Sequence, residues 1–236
     1  MILNMVLIAH RGGTDKYPEL TIDAARHSLE HGADYVEMDI RFTKDGVPVI
    51  SHDDDALKLF GNSALIADLT AEQFVALNYV SDPSRRPHTL EEVLASGVGP
   101  ILFHIKEGGE QLARILAFIR IHRYEEKVVM GVMSGLDAKD VKMFDERIRV
   151  LAFMPSKDQA LEFIDSGADI IRLWEEWVNE ELVRFVQQSG KQVWIMAGSS
   201  AKGTTGYTSP EQILSWKQMG VNGVLVDKIE ETKVLL

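Results

Sequence analysis

The 236-residue chain contains no cysteine, and this absence excludes several kinds of chemistry at once. Without a thiol there is no disulfide, no thiolate metal site and no cysteine nucleophile. The chain also lacks any apolar run near the roughly 20 residues that a membrane-spanning helix needs. No basic or cleavable leader opens the sequence, which enters an apolar strand-like run almost at once, so we expect a cytoplasmic protein.

Positive charge is also scarce, since 25 lysines and arginines stand against 36 aspartates and glutamates. The resulting net charge of −11 argues against nucleic acid or an anionic membrane surface as the main partner. An anionic small-molecule ligand would therefore have to be met by local cations or by a metal ion. The oligomeric state is left open by the sequence.

What the chain does contain is a regular alternation of short apolar runs with amphipathic stretches. Eight runs rich in Val and Ile predict buried parallel strands, at Val6–His10, Tyr35–Ile40, Ile101–Lys106, Val128–Val132, Arg149–Phe153, Asp169–Trp174, Gln192–Ala197 and Gly223–Asp227. Among the helices, Pro210–Met219 is predicted to bury Ile213, Leu214 and the stem of Lys217. Eight such units predict an α/β fold, a (β/α)8 TIM barrel, with a doubly wound open sheet as the alternative.

A single domain over residues 1–236 is predicted, with one small insertion after the second strand. Lys44-Asp45-Gly46 is a hairpin turn signal, and residues 47–51 resemble a short return strand. The stretch that follows, residues 53–87, is long and irregular. Because βα loops build the mouth of such a barrel, we expect this insertion to form part of the wall of the active site.

Charged and polar residues stand where the predicted strands end. His10 and Arg11 follow the first strand, and His52 follows the return strand. Cations at the end of a core strand indicate an anionic ligand, and imidazole suits proton transfer because its free pKa of about 6.5 lies near neutral pH. The alternative is a pair of hydrogen-bonded structural histidines. His27, His31 and His122 lie on or beside helices among charged neighbours and are interpreted as solvated.

Glu37 and Asp39 share one face of the second strand, because strand side chains alternate between two faces. Two acids at adjacent inward positions repel each other unless a cation lies between them. His104 and Lys106 share a face of the third strand in the same way. Helix caps or ion pairs are the alternative interpretation of the two acids, and a metal site is the favoured one.

These residues belong to a series of motifs with a distinctive order. The series runs His10-Arg11-Gly12, Pro18-Glu19-Leu20-Thr21, Gly32-Ala33-Asp34, Glu37-Met38-Asp39, Thr43-Lys44-Asp45-Gly46, His52-Asp53 and the segment 87–94, and Gly220–Asp227 ends it. In order and spacing it resembles the glycerophosphodiester phosphodiesterase family, most densely over residues 6–106. The resemblance implies a metal-dependent hydrolysis of a glycerophosphodiester to glycerol 3-phosphate and an alcohol.

The resemblance also implies a role for individual residues. His10 and His52 match the family's general acid and base, and Arg11 and Lys106 match its phosphate-binding cations. Trp194 matches a tryptophan that lines the pocket near the glycerol, with an ordinary core aromatic as the alternative. The attacking group, water or a hydroxyl of the substrate itself, is left open.

The metal site implied by the resemblance holds one divalent ion, Mg or Ca, on Glu37, Asp39 and a third-strand glutamate. Here His104 stands in place of that glutamate, so it is either a ligand that makes Mn or Zn possible or a bystander. A second departure is Leu20, where the family has asparagine, which we expect to remove a polar group beside the mouth.

Further candidates and two other functions stay open. Arg172 could be a third cation, Trp174 or Trp177 could narrow the alcohol pocket, and the glycine-rich loop 198–206 is interpreted as a mobile lid. The first alternative function is a phosphodiesterase of the same barrel for another head group, a lysophospholipid or a sugar phosphodiester. The second is a phosphate-ligand binding protein whose catalysis is weakened.

Overall fold

The structure is a computed structural model that describes residues 5–236. Eight parallel strands form the barrel: β1 (Val6–Ala9), β2 (Tyr35–Phe42), β4 (Ile101–Ile105), β5 (Val128–Val132), β6 (Arg149–Ala152), β7 (Ile170–Trp174), β8 (Gln192–Met196) and β9 (Gly223–Val226). The sheet is closed because β1 pairs with both β2 and β9. The predicted TIM barrel is therefore confirmed, and the open sheet is excluded. Each predicted strand agrees with the structure to within two residues at either end.

Ten α-helices occur among residues 5–236: α1 (Ile22–Glu30), α2 (Leu57–Phe60), α3 (Ala71–Val75), α4 (Leu90–Ala95), α5 (Leu112–Ile121), α6 (Gly135–Phe144), α7 (Ala160–Asp165), α8 (Glu180–Gln188), α9 (Pro210–Gln218) and α10 (Ile229–Lys233). Their apolar faces and the outward-facing strand residues form one large buried core. Within this described part of the chain, every helix is too short or too polar to cross a bilayer.

Two glycines allow large aromatic rings to fill the inside of the barrel. A Cβ atom on Gly223 would lie 2.8 Å from the ring of Trp194, and one on Gly131 would collide with the ring of Phe153. Both rings belong to the apolar cluster that fills the barrel interior. Apolar side chains therefore fill the barrel interior below its carboxyl end.

The predicted insertion after the second strand is present. The return strand β3 (Pro48–Ile50), which runs antiparallel to β2, leads into it, and it contains α2 and α3. Together with Val49 of β3, its side chains Ala56, Phe60, Ile66, Phe74 and Tyr79 form a small separate core. Tyr79 fastens this unit to the barrel, since its hydroxyl donates a 2.9 Å hydrogen bond to the backbone carbonyl of Glu19.

The predicted buried face of α9 is wrong at one position. Leu214 is 43% exposed, whereas Trp216 is fully buried beside Ile213. Residues three apart share a helix face, but consecutive residues differ by about 100°, so Ile213 and Trp216 point inward while Leu214 points outward.

We expect Trp216→Ala to lower the free energy of unfolding by about 3–5 kcal/mol, because it removes a fully buried aromatic side chain and leaves a cavity. The matched control is Leu214→Ala in the same helix, which should change it by no more than about 0.5 kcal/mol. Guanidinium denaturation followed by circular dichroism measures both. Equal losses in the two variants would contradict this packing.

Candidate active site

A cleft of about 190 Å³ opens where the barrel strands end. Its walls bring together seven of the eight site residues predicted from the sequence: His10, Arg11, Glu37, Asp39, His52, His104 and Lys106. Glu37 and Asp39 belong to β2 and His104 belongs to β4, and the other four follow β1, β3 or β4 within two residues. Parallel strands of a closed barrel deliver their carboxyl ends to one rim, which is why residues up to 96 positions apart in sequence share one small space.

Trp194, the eighth predicted residue, does not reach the cleft. It is fully buried inside the barrel, where its ring lies 5.5 Å from that of Tyr35 and its Nε1 donates to Gln192 Oε1 at 3.3 Å. Tyr35 and Gln192 are the first residues of their strands, so the Trp194 ring lies toward the amino end of the barrel. Met196, two positions further along β8, lines the cleft in its place.

Each of the two cleft histidines is held by a carboxylate. His10 Nδ1 lies 2.6 Å from Asp227 Oδ1, and His52 Nδ1 lies 2.7 Å from Asp53 Oδ1. A carboxylate can only accept, so Nδ1 carries the hydrogen in both rings and Nε2 is left for a ligand. Burial lowers the pKa of His52 below its ordinary value. Asp53 and Asp227 both belong to the sequence motifs, but their part in holding the histidines could not be inferred from the motifs.

Glu37 and Asp39, which are buried, form a cluster with the partly exposed His104, and the ligand atoms of the three all lie within 4.8 Å of one another. Burial and the neighbouring Asp39 raise the pKa of Glu37, and burial lowers the pKa of His104 to about 4. Although burial opposes it, the Lys106 charge and His104 hold the pKa of Asp39 well below its usual range. A buried acid pair of this kind needs a cation beside it.

The donor atoms of this cluster fit a metal ion. Both carboxylate oxygens of Asp39 are buried, and among residues 5–236 Oδ2 has no hydrogen-bond or ion-pair partner, whereas Oδ1 pairs with Lys106. Asp39 Oδ1 and His104 Nδ1 are 3.0 Å apart, and the Lys106 ammonium lies 2.9 and 3.0 Å from them. The Lys106 ammonium therefore contacts both of these atoms.

Arg11 is held by its backbone and by its side chain. It lies in the left-handed region with φ of 51°, which aims its N–H at Glu37 Oε2, 2.8 Å away. Its guanidinium Nη1 donates to Glu19 Oε1 at 3.1 Å, and Lys58 donates to the same oxygen at 3.2 Å. A non-glycine residue with positive φ is uncommon and is often found at a functional site.

Leu20 lies elsewhere than the sequence suggested. Its side chain is fully buried in the main core and does not stand at the mouth, and its φ is 63°. Its N–H still donates to the carbonyl of Arg11 at 2.7 Å. The change from asparagine therefore adds apolar packing beneath the loop that carries Arg11 and leaves the backbone contact to that loop in place.

Arg172 on β7 is a third cation in the cleft wall, and its side chain is buried. Its Nε and Nη1 atoms have no hydrogen-bond partner among residues 5–236. The guanidinium carbon lies 4.4 Å from the ring centroid of Trp174 and 5.8 Å from that of Trp177. Burial lowers the pKa of Arg172 to about 9, so the group is still charged at neutral pH.

The loop 198–206 contributes Ser200 and Thr205 to the cleft. The residues that follow β7 anchor this loop. Glu175 accepts hydrogen bonds from the Gly198 N–H at 2.6 Å and from the hydroxyl of Thr208 at 3.2 Å.

None of the described residues of the insertion 53–87 lines the cleft, so its expected role as a wall is wrong. The insertion contacts residues of the site indirectly: Asp53 holds the ring of His52, and Lys58 donates a hydrogen bond to Glu19, the partner of Arg11.

Comparison with known families matches residues 10–180 to the model described as the glycerophosphoryl diester phosphodiesterase family. The chain belongs to this family. The resemblance read from the motifs is confirmed, and so is the expected enzyme class, a phosphoric diester hydrolase. Enzymes of this family generally depend on a divalent metal ion, for which the cluster of Glu37, Asp39 and His104 is a possible site.

Individual relatives support the assignment. The chain is 29% identical over 230 residues to glycerophosphodiester phosphodiesterase 1 of Rattus norvegicus, covering 92% of this chain and 70% of the relative. It is 33% identical over 129 residues to a glycerophosphodiester phosphodiesterase of Bacillus altitudinis, covering 52% and 50%.

Solved structures share the fold. A phosphodiesterase of Oleispira antarctica, in complex with the product sn-glycerol-3-phosphate, has a TM-score of 0.82 and 17% identity, covering 98% of this chain and 96% of that one. A glycerophosphoryl diester phosphodiesterase of Silicibacter pomeroyi, itself described as a putative one, has a TM-score of 0.81 and 20% identity, covering 98% and 92%.

We expect His104→Glu to strengthen binding of Ca²⁺ and Mg²⁺, because it replaces a neutral nitrogen with the oxygen ligand that hard cations prefer. Calorimetric titration of the metal-free protein with each ion measures the change. The matched control is His122→Glu, which adds the same charge outside the cleft. Equal binding by the two variants would show that position 104 does not contact the ion.

Proposed function

We propose that this protein hydrolyses glycerophosphodiesters to glycerol 3-phosphate and an alcohol, with His10 and His52 as general acid and base. One observation carries the proposal: two carboxylate-backed histidines share a 190 Å³ cleft with a buried carboxylate cluster. Relatives that bear the name of this activity, and a product-bound structure of the same fold, support it.

The divalent ion would be held by Glu37, Asp39 and His104. When bound, it supplies positive charge that offsets the charge developing on the phosphoryl oxygens. Two carboxylates suit Mg or Ca, as in the family, whereas the imidazole of His104 also makes Mn or Zn suitable.

The reaction requires two proton transfers, one for each histidine. A bond forms between phosphorus and the attacking oxygen, and the bond from phosphorus to the leaving alcohol oxygen breaks. One histidine takes the proton of the attacker, and the other gives a proton to the leaving oxygen. His52 suits the first role, because its lowered pKa keeps Nε2 unprotonated near neutral pH. The attacker is water or a hydroxyl of the glycerol. The hydroxyl would give a cyclic phosphate, and a water molecule would then have to attack the phosphorus and break the ring P–O bond to give glycerol 3-phosphate.

Two cations of the cleft suit the phosphate. Arg11 is presented by its strained backbone and steadied by Glu19, and a planar guanidinium can contact two phosphate oxygens. Lys106 is a compact charge beside Asp39, and its ammonium can swing toward an anion.

The test is release of glycerol 3-phosphate from a panel of glycerophosphodiesters, in EDTA and then with Mg, Ca, Mn or Zn added back. We expect no release in EDTA and restored release with at least one metal. Release that is unaffected by EDTA would contradict the metal requirement. Binding of the substrates without any release would favour a phosphate-binding protein.

His10→Ala and His52→Ala should each lower turnover by about 10²-fold or more, because each removes a proton-transfer group. Steady-state rates with the preferred metal measure the loss, and circular dichroism checks the fold. His122→Ala, which removes a histidine outside the cleft, is the control and should keep the normal rate. Near-normal rates in both cleft variants would refute the assigned roles.

A different head group is the second candidate function, and Arg172 favours it. Its guanidinium already covers Trp174 and lies near Trp177, so these rings are not free to cage a quaternary ammonium. Arg172 also adds an unpaired positive charge to the cleft, while His104 removes a negative charge that the family glutamate would supply. Both changes favour head groups that are neutral or anionic.

Arg172→Met should lower kcat/KM for a glycerophosphodiester with an anionic head group by about 10-fold or more, the usual cost of a hydrogen bond to a charged group. The kcat/KM for glycerophosphocholine should stay the same or rise. Arg172→Lys, which keeps the charge, is the control and should retain part of the preference. Parallel losses on both substrates would show that Arg172 does not select the head group.

A further inference from the structure

A second cluster of metal-ligating side chains lies outside the cleft, between α1 and α10. His27 and His31 belong to α1, and Glu230 belongs to α10. His27 Nε2 donates to Glu230 Oε1 at 2.9 Å, so a metal ion would replace the hydrogen of this bond, and His31 Nε2 lies 3.9 Å from the same oxygen. The three ligand atoms all lie within 4.8 Å of one another. None of these residues belongs to the site described above.

The two histidines are four residues apart, which places them on the same face of a helix. Their ring centroids are 4.0 Å apart, so both Nε2 atoms can approach one point. His31 Nδ1 lies 2.7 Å from the backbone carbonyl of His27. A carbonyl only accepts, so Nδ1 of His31 carries the hydrogen and Nε2 keeps the lone pair. Histidines that bind metals are commonly oriented by such a bond.

The spacing of the donors suits a small tetrahedral ion. Bonds of about 2.0–2.1 Å to zinc place neighbouring ligand atoms roughly 3.3 Å apart. The distances of 2.9 and 3.9 Å from Glu230 Oε1 bracket this value, so small side-chain rotations would complete the site. Two imidazoles with one carboxylate favour zinc, copper or nickel over magnesium or calcium.

The exposure and the packing of the three side chains also suit a metal site. The side chains of His31 and Glu230 are 42% and 50% exposed, so an ion can enter from solvent. The His27 side chain is only 11% exposed and packs edge-on against Tyr17, so the sequence interpretation of a solvated residue is wrong for it. His27 is the rigid member of the group, and Glu230 is the member that can adjust.

We infer that His27, His31 and Glu230 form a second metal site, for zinc or a similar divalent ion, that joins α10 to α1. Water would complete the coordination. The position matters because the start of α10 is tied to the loop after β1: Asp15 accepts from the Ile229 N–H at 2.9 Å, and Lys228 donates to the Thr14 carbonyl at 2.8 Å. An ion here would fasten the last helix onto the same region.

The experiment uses the full chain with Asp39→Asn, which weakens the cleft site so that zinc uptake reports the second site. Zinc chloride is titrated into the metal-free protein by calorimetry. We expect one equivalent to bind, and we expect His31→Gln in the same background to abolish this binding. The matched control is His122→Gln, a histidine outside both clusters, which should bind zinc normally. No uptake by the Asp39→Asn protein, or equal uptake after His31→Gln, would overturn the inference.

Thermal unfolding gives a second readout. An ion that binds only the folded chain stabilises it, so excess zinc should raise the Tm of the Asp39→Asn protein by several degrees, on the order of 5 °C. His31→Gln should remove this shift, and an undiminished shift would count against the site. If Asp39→Asn does not fold, the same substitutions in the otherwise unaltered chain should reduce zinc uptake by one equivalent. The glycerol 3-phosphate assay should be unaffected by His31→Gln, so this inference and the proposed function can fail separately.

Discussion

Two carboxylates buried side by side on β2, those of Glu37 and Asp39, are the constraint around which the mouth of the barrel is arranged. Burying two negative charges away from water is costly in free energy unless hydrogen-bond donors and cations surround them. The chain supplies the Arg11 N–H to Glu37 and the Lys106 ammonium to Asp39. The left-handed backbone of Arg11 has a physical reason in this arrangement, because it is what turns the N–H toward Glu37.

The groups that orient the site residues come from distant parts of the chain. Asp227, which holds His10, lies 217 residues away and follows the last strand. Arg41 donates from Nε to the carbonyl of His52 at 2.9 Å and from Nη1 to Glu107 at 3.2 Å, so the return from β3 is tied to β2 and to the end of β4. Closing the barrel is what brings these partners together. The site therefore depends on the global fold more than on any one segment.

Periodicity in the sequence predicts which way a strand residue faces but gives no information on its depth along the barrel. For this reason the strands could be predicted, together with the shared faces of Glu37 with Asp39 and of His104 with Lys106. His10, Arg11 and His52 were identified because they follow a strand. Trp194 was implied only by the family resemblance, and its depth could not be predicted. It faces inward as expected, yet it lies one layer too low, where Gly223 leaves room for its ring. The wrong prediction for Leu20 has a similar cause, because a position in a motif does not show whether its side chain points to the mouth of the barrel or to the core.

Pairing between charges is also beyond sequence reasoning, and here it decides the character of the cleft. The three cations Arg11, Lys106 and Arg172 share this region with the acids Glu19, Glu37 and Asp39, and with Asp53 and Asp227, which hold the two histidines. Arg11 and Lys106 have carboxylate partners, so Arg172 is the cation most readily available to a ligand. An unpaired buried charge is destabilising to the folded chain, so Arg172, which lies in the same cleft as His10 and His52, supports the proposal that an anion binds there.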